Sequence, residues 1–97
     1  MSTQIQATII AVKFGRIGDD VPYHGLSLTL QYGYGQQAFI EAVSPTATTS
    51  PTLDLLLSHY QTTKIEDLVG KLVIAHVDHG LICAIQVYTE PFDPFNL

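Results

Sequence analysis

Residues 26–32, LSLTLQY, alternate strictly: Leu26, Leu28, Leu30 and Tyr32 fall on one face, Ser27, Thr29 and Gln31 on the other. Period-two alternation predicts a strand with one dry and one wet face. Upstream, IQATIIAVKF over 5–14 is apolar and β-branched, which predicts another strand. Downstream, QQAFIEAV over 36–43 predicts a third. Residues 30–43 then read as a hairpin turning at Gly33-Tyr34-Gly35, with positive φ supplied by both glycines. GRIGDDVPYHG, over 15–25, carries three glycines, two aspartates and a proline and reads as a long loop.

The period changes after the Ser/Thr/Pro linker SPTATTSP. Leu53, Leu56, Leu57 and Tyr60 recur at i, i+3, i+4 and i+7, one apolar face of a helix over about 51–61. Ser50 is a natural N-cap, Pro51 suits the first helical position, and Asp54 complements the helix dipole. Thr63 and Glu66 have capping-box spacing and Gly70 can close a turn, which predicts a short helical turn at 64–69. KLVIAHV and LICAIQVY form a second predicted hairpin about Asp78-His79-Gly80. The latter strand is apolar on both faces, so a central position is expected, with Cys83 a small core residue. The tail TEPFDPFNL has two prolines and cannot be a regular helix or central strand. It is expected to lie extended over the body or a neighbouring subunit, with Phe92 and Phe95 as oligomer contacts.

The expected fold is therefore α+β in a single domain, 1–97. A single antiparallel β-sheet of about five strands carries one main helix on one face and the short turn at 64–69.

Composition narrows the function classes. Hydrophobic residues make up 46% and charged residues 13%, which excludes disorder and leaves a surface poor in charge. Weak charge repulsion suits self-association, so a homo-oligomer is expected. Nine acids against four bases give a net charge of −5, so direct nucleic-acid binding is not expected. A single anionic ligand is compatible with this balance, because backbone amides and one or two cations suffice. One cysteine excludes an intramolecular disulfide and a cysteine zinc cluster. The start MSTQIQATII lacks a signal-peptide pattern and no run spans a membrane, so cytoplasmic action is expected.

Candidate chemistry is sparse. HVDH, over 76–79, places two histidines and an aspartate together, but metal sites need three or four convergent ligands. Turn chemistry for 78–80 and a water-facing His76 explain it more simply, and no metal site is expected. Asp19 and Asp20 beside His24 read as solvated loop residues. No nucleophile elbow, P-loop, GxGxxG, HExxH or paired-cysteine motif occurs, so no enzyme and no cofactor are expected. QYGYGQQAF is richer than a plain turn requires. Tyrosines can stack on a planar ligand and glutamine amides can read a base edge. The expected ligand- or partner-binding set is Arg16, Tyr32, Gly33, Tyr34, Gly35, Gln36, Gln37 and Phe39. Lys13 and Arg16, near the end of the first strand, could approach a phosphate.

ATIIAVKFG, SLTLQYGYGQQAF, TLDLLLSHYQTTKIEDLVGKLVIAHVDHGLICAI and PFDPF, in that order, resemble a family of small phage and prophage proteins. The shared pattern is a strand ending in glycine, a glycine-rich loop with Gln and Phe, a helix, an EDLxGK segment, a hairpin and an aromatic-proline tail. The chain has Phe92 and Phe95 where a tryptophan is common in that family. The resemblance implies phage origin and action inside the bacterial host cell, and implies no reaction. The expectation it leads to is a non-enzymatic counter-defence protein that sequesters a nucleotide-like immune signal. Two alternatives stand beside it: a phage inhibitor of a CRISPR or other bacterial defence complex by protein contact, and a phage accessory or assembly protein.

Overall fold

A computed structural model of the chain describes residues 3–19 and 22–89. Five strands, β1 (Thr3–Ile17), β2 (Tyr23–Tyr32), β3 (Gly35–Ser44), β4 (Leu72–Asp78) and β5 (Leu81–Val87), form one antiparallel sheet. Their order is β3-β2-β1-β4-β5. A helix, α1 (Pro51–His59), and a short 3-10 helix (Ile65–Leu68) join β3 to β4. This is the α+β fold that the patterning predicts. Among the described residues no helix is long and apolar enough to cross a membrane.

β1 organises the sheet because it serves two partners. Its first half, Thr3 to Thr8, pairs with β4, and its second half, Thr8 to Ile17, pairs with β2. The ladder slips by one residue between Ile9 and Ala11. An extra residue bends a strand and moves the following side chains to the opposite face. Ala7 and Ile9 are buried before the bulge, while Val12 and Phe14 pack on the core after it. Lys13, Gly15 and Ile17 consequently face outward.

The dry face of β2 behaves as its alternation requires: Leu26, Leu28 and Leu30 are fully buried. Phe39 of β3, Val73 and Ala75 of β4, and Ile82 and Ile85 of β5 complete the sheet's side of the core. α1 contributes Leu53 and Leu56. Burying a leucine contributes about 1.5–3 kcal/mol, so this stripe holds the helix in place. The helix begins where its cap residues indicate. Ser50 Oγ accepts the Leu53 N–H at 3.1 Å, with Pro51 at the start of the helix. It ends two residues sooner than its apolar period suggests, because Gln61 takes φ +55° and turns the chain away. Leu68 anchors the 3-10 helix, and Gly70, at φ +92°, donates its N–H to the Ile9 carbonyl at 2.7 Å.

Five sequence expectations need correction. The segment 15–25 is mostly ladder: Gly15 pairs with Gly25, Arg16 with His24 and Ile17 with Tyr23. The β2–β3 turn is two residues long. Only Gly33 has positive φ, at +56°, while Gly35 pairs with Tyr32; this is the type II′ pattern with glycine first. β5 is last in the hydrogen-bonded order rather than central. Cys83 is exposed, because it is the extra residue of a second bulge, where Ala84 pairs with His76 and Ile82 with Val77. The Thr63–Glu66 box does not form. Thr62 Oγ1 instead donates to Asp67 Oδ2 at 2.7 Å and accepts the Lys64 N–H at 3.2 Å. Phe92 and Phe95 lie outside the described residues.

The sheet curls until its two ends meet. Gln37 of β3 donates from Nε2 to the Gly80 carbonyl at 2.9 Å and accepts the Ile82 N–H on Oε1 at 2.6 Å. One carboxamide thus stands in for a strand pairing and draws β5 against β3.

Candidate functional site

The residues expected to form one site are divided by the fold. Gly33 and Tyr34 make the tip of the β2–β3 hairpin, and Tyr34 is wholly exposed there. Tyr32 packs partly on the core, Phe39 is within it, and Gln37 holds the seam. Gln36, opposite Gln31, faces solvent. Arg16 lies opposite His24, near the far end of β2. Seven residues separate Gly25 from Tyr32, or roughly 23 Å at the usual strand rise. Within one chain Arg16 and the tip cannot share a ligand of nucleotide size.

A different cluster converges on the outer face of β1, β2 and β3. Register places Lys13 beside Ser27 and Ser27 beside Ile40, with Gly15 beside Gly25 in the next row. These residues, with Arg16 and Ile17, line a depression of about 190 Å³. Its floor is low because its central residues are Gly15, Gly25 and Ser27. Gly25 must be glycine: a Cβ there would lie 2.2 Å from the Glu41 carbonyl oxygen. Gly15 differs, since a Cβ there would meet nothing within 4 Å, so its lack of a side chain leaves open space on the face. Ile17 and Ile40 supply apolar walls.

The charge distribution favours an anion here. Lys13 and Arg16 are half of the chain's four lysines and arginines, and among the described residues no acidic side chain lines the depression. Among the described residues, Arg16 hydrogen-bonds the Asp19 backbone carbonyl, through Nη2 at 3.5 Å. Glu41, on neighbouring β3, is turned to the helix, where its carboxylate accepts from Thr52 N at 3.2 Å and from Thr52 Oγ1 at 2.7 Å. An acid at a helix N-terminus is stabilised by the dipole, and this pairing keeps its charge from the outer face.

Two other places offer less. A wider, shallow hollow of about 640 Å³ lies between the end of α1 and the 3-10 helix, lined among others by Gln61, Thr62, Lys64 and Asp67. Its cation and carboxylate oppose each other, so it carries no preference for a charged ligand. At 76–79, His76 Nε2 meets Gln86 Oε1 at 3.0 Å and His79 lies 3.6 Å from Asp78. His79 and Gly80 have φ of +53° and +78°, the type I′ pattern of a tight hairpin. Among the described residues no three His, Cys, Asp or Glu side chains converge to hold a metal ion.

Sequence reasoning reached Lys13 and Arg16 but missed Gly15, Gly25, Ser27 and Ile40. The signal was the break in apolar phase from Ile5, Ala7 and Ile9 to Val12 and Phe14, which marks the bulge that turns Lys13 outward. No family model, curated protein or solved structure matches the chain.

Proposed function

We propose that this protein is a non-enzymatic binding module that takes a small nucleotide-like anion on the outer face of β1, β2 and β3. The observation that carries the reading is Lys13 facing outward over a glycine floor, with Arg16 at its edge and no acidic side chain lining it among the described residues, on a chain of net charge −5. A depression of about 190 Å³ suits one phosphate or sugar. The remainder of the ligand would lie along the small outward residues of the same face, Thr29 beside Ala38 and Ala11. Two cations are too few for a phosphate polymer, which favours a mono- or dinucleotide.

Architecture supports the same face. Five strands curled until β3 meets β5, with a helix between β3 and β4, resemble a partly open five-stranded barrel of the OB type. In such barrels the face of strands 2 and 3 binds oligonucleotides and oligosaccharides. The likeness is one of architecture alone, which does not fix function. The resemblance to phage proteins supplies the setting: sequestration of a nucleotide immune signal inside the bacterial host cell.

Titration of the isotope-labelled protein with AMP and with cyclic di-adenylate, followed by amide chemical shifts, tests the reading. Shifts should centre on residues 13–17 and 25–27, and Lys13→Gln with Arg16→Gln should weaken binding roughly tenfold or more. Absence of shifts there with either probe would reject it.

A further inference from the structure

Two features of the outer face lack a role within their own chain. The first is Tyr34, wholly exposed on a slender tip. A Cβ at Gly33 would meet nothing within 4 Å, so the tip stands clear of the body. The second is the open seat over Gly15. Its walls, Ile17 and Ile40, can flank an aromatic ring, its floor lets a ring approach, and Lys13 can meet the ring's face or its hydroxyl. Tip and seat match in size and chemistry but lie at opposite ends of β2.

A second copy removes that separation. If two chains pack outer face to outer face about a two-fold axis perpendicular to β2, their β2 strands run in opposite directions. Each tip then faces the other chain's seat, and the contact is self-complementary, as two-fold symmetry requires. The rest of the surface fits. Tyr23, Ile40 and Val43 are exposed apolar residues near the seat end of the sheet, and charged residues make up only 13% of the chain.

We infer that the protein pairs with itself in this way, so that Tyr34 of each chain closes the Lys13–Arg16 site of its partner. The inference rests on the ligand reading for the purpose of the closure, which is to stack a tyrosine on a planar ligand whose anionic group lies on the glycine floor. The pairing itself requires no ligand. It explains how Arg16 and the glycine-tyrosine loop can serve one site although no single chain brings them together.

Sedimentation velocity of the full chain across micromolar to submillimolar concentrations should show a monomer–dimer equilibrium. Tyr34→Ala and Gly15→Val should each weaken it roughly tenfold. Both positions are open, so neither variant should lower the thermal midpoint, and the second leaves Tyr34 intact. In a Cys83→Ser background, mixing Tyr34→Cys chains with Ser27→Cys chains should give a mixed disulfide under mild oxidation. A monomer at every concentration, a dimer indifferent to both variants, or no mixed disulfide would overturn the pairing. AMP separates the two readings. A mixed disulfide without AMP binding would remove the ligand and keep the dimer. Equal AMP affinity for wild type and Tyr34→Ala would keep the ligand site and remove the closure.

Discussion

Gln37 and Ile82, 45 positions apart, are joined by the side-chain carboxamide of one and the backbone N–H of the other at 2.6 Å. The same carboxamide donates to Gly80 at 2.9 Å. Both of its polar ends are satisfied, by the Ile82 N–H of β5 and by the Gly80 carbonyl of the turn that precedes it. Gln37→Ala would leave a part-buried donor at Ile82 and an exposed acceptor at Gly80 without this partner, at about 1–3 kcal/mol in all. Gln37→Glu tests the geometry more finely, because it keeps the acceptor for Ile82 and sets a carboxylate against the Gly80 carbonyl. Chemical denaturation should rank wild type above the glutamate variant at acidic pH, and that above the same variant at neutral pH. Equal midpoints for all would show that the seam bears no load.

Gly15 and Gly25 are register partners with opposite tolerance. Gly25→Ala forces a methyl to 2.2 Å from backbone oxygen, which no rotamer can relieve. Overpacking of this kind costs about 1–3 kcal/mol and here falls at the upper end. Gly15→Ala meets nothing, and replacing a strand glycine stabilises by roughly 0.5–1 kcal/mol. Thermal melts of the two single variants should therefore move in opposite directions; movement in the same direction would contradict the close approach at Gly25.

These two glycines also show where sequence reading stops. Glycines, aspartates and a proline over 15–25 signal a loop, yet the ladder runs inward from both sides and pairs residues 15–17 with 23–25. Local composition cannot weigh cross-strand pairing against turn chemistry. By contrast Leu26, Leu28, Leu30 and the Ser50-Pro51 start are legible, because one periodicity or one cap decides each. Cys83 faces outward for a reason alternation hides: a bulge lets Ile82 and Ile85, three apart, share the core. The candidate site was half legible. Its cations stand in the sequence, but two residues of the floor, Gly25 and Ser27, come from the neighbouring strand. Gln37's partners, 43 and 45 positions distant, are set by the curl of the whole sheet.

His79 occupies the left-handed region at φ +53°, where its Cβ is crowded. A type I′ turn prefers asparagine there, followed by the glycine already present at position 80. His79 is exposed and, among the described residues, its contact is the neighbouring Asp78 carboxylate, at 3.6 Å. His79→Asn should stabilise by about 0.5–1 kcal/mol, seen as a rise of roughly 2–8 °C in thermal midpoint. A fall would mean that the histidine–aspartate contact outweighs the backbone preference.

Tyr60 ties α1 to the sheet by donating its hydroxyl to the Leu72 carbonyl. Burial pushes its pKa above the ordinary tyrosine value, and a backbone hydrogen bond from Tyr88 opposes the shift only in part. The folded chain therefore holds this proton more tightly than the unfolded chain does. The stability linked to it is complete below the ordinary tyrosine range, about pH 10, and is lost as pH rises through the higher folded-state value. Ionisation also removes the donor and sets a negative oxygen against a carbonyl. Denaturant midpoints should fall above pH 10 in the wild type. Tyr60→Phe should be less stable at neutral pH by about 0.5–1.5 kcal/mol and should show a shallower alkaline fall. If the two proteins decline in parallel, alkaline sensitivity belongs to other tyrosines or lysines, and the Tyr60–Leu72 contact does not link pH to the docking of the helix.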